Sequence, residues 1–217
     1  MITNKSTQDD FYLELGQLTA NSVNHLVSSF NDLPASPYAD GAYRLRRYSR
    51  FTMNNHSLSR LASQAFVQDE SINHFQGNVV RVYPEIEDQT FEDPAFIELF
   101  NHFQRMANVQ DDTPIEVHQM RILANNKRAE VAPEGVHQDG FDRVGIYVIQ
   151  RHNIQGGNIN IHSSKNSPAI ISHDFDQGEF VVLNDRKFFH SAYPIKPVDG
   201  EFGYMDTFIL TANLIRQ

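Results

Sequence analysis

His137, Gln138 and Asp139 put an imidazole and a carboxylate two residues apart, just before Gly140. On a strand, alternate side chains share a face, so His137 and Asp139 can point the same way and bind one metal ion. The third ligand must come from elsewhere in the chain. Two imidazoles and one carboxylate on one face of an octahedron leave three positions open, an arrangement that suits Fe(II). His190, in the apolar stretch Phe188-Phe189-His190-Ser191-Ala192, is the candidate partner. The triplet alone is weak evidence. With 10 His and 16 Asp in 217 residues, chance supplies roughly 0.7 His-x-Asp triplets. On the triplet alone, a surface histidine beside a turn aspartate fits as well. Two features favour the metal: it is the only His-x-Asp in the chain, and it lies in the strand-rich half.

Composition narrows the donor set. The chain has no Cys, which excludes disulfides and thiolate ligands and leaves nitrogen and oxygen donors. The net charge of −9 argues against a nucleic-acid partner, which needs a basic patch. The first residues, Met1-Ile2-Thr3-Asn4-Lys5, lack the pattern of a signal peptide, and no apolar run approaches a membrane span. A cytoplasmic location is the expectation. The length fits one domain, with residues 1–114 as a mixed lead segment and 115–217 as the core carrying the site.

The elements that must position these residues follow from periodicity. Apolar residues at helical spacing from Phe11 through Leu15, Leu18, Val23 and Leu26 to Phe30 predict a helix over 9–30, with Asp9 and Asp10 at its start. Pro94 followed by Phe96, Ile97, Leu99, Phe100 and Phe103 predicts a second helix over 94–106. Residues 44–53 and 78–83 read as strands. From Ile115 onward, short strands separated by turn residues are expected at 115–123, 131–138, 143–150, 158–162, 169–172, 179–184, 190–195 and 206–214. This pattern predicts a β-sandwich or barrel with helices packed outside. Arg44, Arg46, Arg47 and Arg50 form a basic cluster, which reads as partners for the many acidic residues. His152, His162 and His173 read as structural or surface histidines, with His162 a lesser candidate for the interior.

The segment from Glu134 to Asp142, together with Arg151 to Gly157, Asn184-Asp185-Arg186 and His190 to Ile195, resembles bacterial 2-oxoglutarate/iron dioxygenases that hydroxylate free amino acids, the isoleucine 4-hydroxylase group in particular. Tyr43 to Phe51 and His118-Gln119-Met120-Arg121 extend the likeness, which covers roughly residues 38–214. The resemblance implies a double-stranded β-helix (a cupin-like jelly roll) with N-terminal helices outside. It implies His137, Asp139 and His190 as the iron ligands and catalytic centre, with Fe(II), 2-oxoglutarate and O2 as cofactors. The substrate it implies is a small molecule, a free amino acid. The carboxylate at Asp139 matters, because related halogenases lack it and make room for halide. Its presence favours hydroxylation, desaturation or ring closure.

One position departs from the pattern. Family members place an Arg about fifteen residues after the second histidine, where it pairs bidentately with the distal carboxylate of 2-oxoglutarate. Met205 stands there. Arg121 is the first candidate for a replacement cation and Arg143 the second; Tyr147, Met205 and Thr207 complete the candidate cosubstrate-binding residues. The other readings are an iron oxygenase that does not use 2-oxoglutarate, and a non-catalytic small-molecule-binding jelly roll.

Overall fold

A computed structural model describes residues 13–215. In chain order the elements are β1 (Leu13–Gln17), α1 (Ala20–Val27), β2 (Arg44–Asn54), β3 (Ser57–Arg60), α2 (Asp88–Phe91), α3 (Pro94–Ala107), β4 (Ile115–Asn125), β5 (Arg143–His152), β6 (Ile154–Gly156), β7 (Ile159–His162), β8 (Ala169–His173), β9 (Glu179–Asn184), β10 (Phe189–Ala192), β11 (Ile195–Pro197) and β12 (Phe202–Ala212). Seven strands form a major sheet in the order β1-β9-β5-β12-β4-β2-β3, and β10-β7-β8 form a minor sheet. All pairings are antiparallel. This is the expected jelly roll with helices outside it.

Strand alternation gives the major sheet two apolar faces. One packs Phe51, Ile115, Val117, Tyr147, Phe180 and Phe208 against Phe96, Leu99, Phe100 and Phe103 of α3. The other puts Met120, Ile122, Val144, Ile146, Val148 and Met205 inside the roll with Ile159 and Ile161 of the minor sheet. Helix α3 forms where Asp93 caps it by accepting the Ala95 N–H at 2.8 Å and Pro94 opens it. It ends at Asn108 in the left-handed region, φ 52°.

The N-terminal helix is shorter than expected. Asp9 and Asp10 lie outside the described residues, and Leu13–Gln17 is a strand along β9. Gly16 lets β1 close on the sheet, because a Cβ there would stand 2.3 Å from the Phe180 ring. The helix starts at Thr19, whose Oγ1 accepts the Ser22 N–H at 3.1 Å. Of the expected strand over 78–83, only an isolated bridge between Phe66 and Arg81 forms. The lead segment also supplies β1, β2 and β3 to the major sheet.

Arg121 faces outward, where Nε and Nη2 donate to Asp206 at 2.6 and 2.7 Å and the guanidinium lies 4.1 Å from the Tyr204 ring centre. Burial pushes the Asp206 carboxyl up to about 6 despite this pairing, whereas pairing prevails over desolvation at Arg121 and raises its pKa. Arg121→Met leaves a buried carboxyl without its cation and lowers stability at pH 7.5 by about 3 kcal/mol. Without the guanidinium the folded-state pKa of Asp206 rises further, so the variant recovers relative to wild type as pH falls toward 5.5. Chemical denaturation at the two pH values measures both effects; an equal deficit at both contradicts the assignment.

Candidate metal centre

The expected strand over 131–138 is mostly irregular. Ala132, Pro133, Glu134 and Gly135 make a turn closed by Gly135 N–H to Ala132 O at 3.0 Å, with Gly135 at φ +74°. The next fixed point is His137, which forms an isolated antiparallel bridge with His190. Each backbone N–H donates to the other's carbonyl, at 2.9 and 2.8 Å. The bridge brings the two rings to 4.3 Å between centroids. Asp139 completes the group: Oδ1 lies 3.6 Å from His137 Nε2, and Oδ2 lies 3.5 Å from His190 Nε2. One donor atom from each residue lies within 4.8 Å of the others, the only such His/Asp/Glu group among the described residues. Donors bound at about 2.1 Å and at right angles around one ion stand about 3 Å apart, so modest rotation of these side chains closes the set.

The surrounding groups fix how these donors point. The second histidine nitrogen of each ring faces an oxygen, which orients the other nitrogen toward a metal. His137 Nδ1 lies 2.9 Å from Gly135 O. His190 Nδ1 lies 3.6 Å from Asp185 Oδ1, and neither of these buried atoms has another partner. Asp185 is held by its other oxygen, which accepts the N–H groups of Gly140 and Phe141 at 2.9 and 3.3 Å. Gly140 at φ +88° permits that double approach, and a Cβ there would meet Ile72 Cδ1 at 2.6 Å. Gln138 points away and donates to the carbonyls of Phe188 and Asp185.

Electrostatics suits a cation between these groups. Burial opposes charge on His137, but the hydrogen bond and charge of Asp139, with Glu134 and the Gly135 carbonyl, carry its pKa up to about 9. Burial and the neighbouring His137 charge push His190 down to about 4. Burial alone would raise Asp139, but the two histidines hold it well below the carboxylate range. Burial, then the charge of Asp139, pushes Asp185 up to about 8. Two imidazole nitrogens, one carboxylate oxygen and no thiolate fit Fe(II).

A cavity opens from this cluster into the roll. His137, Asp139 and His190 line it together with Arg44, Arg46, Arg81, His118, Glu134 and Gln68, and with apolar residues including Val131, Phe141, Ile146 and Ile159. Met205 and Thr207 also line it. Three expected cosubstrate residues do not. Arg121 is turned to the outer face by strand alternation and is committed to Asp206. Arg143 is buried, with Nε donating to Ala107 O at 2.9 Å and Nη1 to Asp142 O at 3.0 Å. Tyr147 packs on Phe180 with ring centres 4.8 Å apart, on the helix side of the sheet. His152 stacks on Tyr204, His162 Nε2 meets Ser191 Oγ at 3.0 Å, and His173 Nε2 meets Glu179 at 2.9 Å.

The cavity's cations come from β2 and the Phe66–Arg81 bridge. The expected pairing of the β2 cluster with acidic residues forms for Arg44 with Asp40 at 2.7 Å and for Arg47 with Glu87 at 2.5 Å, but Arg44 and Arg46 are buried in the cavity wall and not at the surface. The available signal was alternation: Arg44 and Arg46 share a face, which the structure turns inward, while Leu45 and Arg47 share the other. Arg81 carried no comparable signal.

Residues 27–211 match the model of the 2OG-Fe dioxygenase family, and the chain belongs to that family. Iron, 2-oxoglutarate and O2 are the cofactors that membership implies. Among solved structures the chain is similar to a bsmA homolog from Methylobium petroleophilum PM1, with TM-score 0.79, 21% identity, and coverage of 94% of this chain and 89% of that one. It is similar to IDO from Bacillus thuringiensis, with TM-score 0.73, 18% identity and coverage of 93% and 94%. It also resembles the Fe(II)/(alpha)ketoglutarate-dependent dioxygenase TqaL, with TM-score 0.71, 16% identity and coverage of 95% and 83%. A search of curated proteins finds no match.

Asp185→Ala removes the carboxylate behind His190 and weakens metal binding about 10- to 100-fold. Anaerobic Fe(II) titration reads this; unchanged affinity contradicts the role. Because His137 retains its proton up to about pH 9 without metal, metal uptake at pH 8.5 releases most of one proton, and affinity rises with pH toward 9. Calorimetry in two buffers of different ionisation enthalpy measures that proton.

Proposed function

We propose that this dioxygenase oxidises an unactivated C–H bond of a free amino acid. The observation that carries this reading is the pair of opposite charges flanking the metal cluster. Arg81, 2% exposed, lines the cavity, and its guanidinium donates to Gln68 Oε1 at 3.1 Å. The amide of Gln68 in turn lies 3.4 Å from the Asp139 carbonyl. A cation is therefore one side chain removed from a metal ligand, with no carboxylate bonded to it. Glu134 lines the same cavity close enough to act on both His137 and His190. Arg81 suits a substrate carboxylate and Glu134 its ammonium, while Val131, Phe141, Ile146 and Ile159 offer an apolar surface for the side chain.

Iron held by His137, Asp139 and His190 would supply, with 2-oxoglutarate and O2, the oxidising power to break the C–H bond. The protein's own contribution is positioning. His137, Asp139 and His190 hold the ion on one side of the cavity. The charged groups fix the ends of the substrate, so that one carbon faces the metal. The sequence likeness to amino-acid hydroxylases supports the same substrate class.

The test is turnover of free amino acids against their N-acetyl and methyl-ester forms, following succinate and product mass together. Free amino acids are converted with equal succinate, and blocked forms are not. Arg81→Met raises KM for the amino acid about 100-fold, as loss of a buried charge-assisted partner does. Equal turnover of blocked and free forms, or conversion of none of them, overturns this reading.

A further inference from the structure

The family's cosubstrate is a dianion, yet position 205 offers it only a thioether. We propose that the distal carboxylate of 2-oxoglutarate is held instead by Arg46 of β2 and the hydroxyl of Thr207 of β12, across the side chain of Met120.

Strand register places these residues in one row. Thr207 pairs with Met120 on β4, and Met120 pairs with Arg46 on β2. Neighbouring strands lie about 4.8 Å apart, so one carboxylate can meet an Arg reaching back over the central residue and a hydroxyl on the far strand. All three residues line the cavity.

Each of the two groups lacks a proper partner. Arg46 is 6% exposed. Its nearest carboxylate, Asp40, lies 3.7 Å away and is already bonded by Arg44 at 2.7 Å. The Arg46 guanidinium otherwise meets Met120 Sδ at 3.2 Å and the Tyr83 hydroxyl at 3.5 Å and lies 5.1 Å from the Tyr83 ring centre, none of them a counter-ion. Arg44 Nε points at the same sulfur, at 3.3 Å. A thioether is a weak acceptor, so two buried guanidinium groups converge on an atom that satisfies neither. Thr207 Oγ1 is buried in the cavity wall with no hydrogen-bond partner. Burial and the charge of Arg44 lower the pKa of Arg46, the direction expected of a cation short of a counter-ion.

The charges agree. Once His137 has given up its proton on binding the ion, Arg44, Arg46 and Arg81 are offset by Asp40, Glu134 and Asp139, and His118 is held uncharged by burial and the arginines. The two charges of Fe(II) then remain, which 2-oxoglutarate balances. The other cations are placed less well: Arg81 is taken up by the substrate in the reading above, and neither Arg121 nor Arg151 lines the cavity. Arg121 faces outward on Asp206. Arg151 neighbours Met205 on β5 and its Nη1 is buried without a partner, but it stays outside the cavity lining, where its Nη2 donates to Gly156 O at 2.7 Å and pairs with Asp174 at 2.9 Å.

The experiment is anaerobic calorimetric binding to the Fe(II)-loaded protein of 2-oxoglutarate and of 2-oxopentanoate. The latter keeps the chelating 2-oxo acid and lacks the distal carboxylate. No amino acid is present, so the result stands whatever the substrate proves to be. Wild type prefers 2-oxoglutarate by about 10²- to 10³-fold, the scale of a buried charge-assisted pair. Arg46→Met reduces that preference to under about tenfold, with 2-oxopentanoate binding retained as proof of an intact iron site. Thr207→Val lowers it by about 3- to 10-fold and keeps the test open should the arginine variant fail to fold. A preference that survives in Thr207→Val and in any folded Arg46 variant overturns the proposal, as does one abolished by Arg151→Met instead.

Discussion

Two backbone hydrogen bonds exchanged between His137 and His190 hold the centre together. They join an irregular segment to a short strand of the minor sheet, and they set the distance between two imidazoles that arrive from distant parts of the chain. The rest of the centre is arranged around that bridge. Asp185 ties the loop after Asp139 through the N–H groups of Gly140 and Phe141, and its second oxygen faces His190. The ligands are thereby oriented before any ion arrives, which lowers the ordering that binding must supply.

The parity of the strands then decides which charges the cavity sees. On β4, Met120 and Ile122 face inward and Arg121 outward; on β5, Ile146 and Val148 face inward and Tyr147 outward. A register shift between Asp206 and Thr207 changes which β5 residues pair with β12, so that Arg151 stands beside Met205. On β2 the inward residues are Arg44 and Arg46, and no carboxylate bonds directly to Arg46. A roll with an apolar inner face thus acquires two inward arginines from a strand of its lead segment.

Much of this was legible in the sequence. The His-x-Asp triplet, the later histidine, helix α3 and most strands of the roll follow from spacing and periodicity. Three parts were not. Leu15 fits a helical pattern, but Gly16 closing on Phe180 lets that stretch pair as a strand. The ligand segment over 131–138 reads as a strand because it is flanked by strands, whereas Pro133 and Gly135 turn it. The family resemblance points to Arg121 as the cosubstrate cation because it lies in a matching block. A single sequence fixes alternation along a strand, but not which set faces inward, and that choice put Arg121 outside and Arg46 inside.

The most direct test of the central claim is anaerobic Fe(II) titration of the wild-type chain and of His137→Ala/His190→Ala. The bridge is made by backbone atoms, so the double variant keeps the fold and loses only the nitrogen donors. The account predicts one equivalent of iron bound by the wild type and none at the same concentrations by the double variant. An unchanged equivalent in the folded double variant would contradict it.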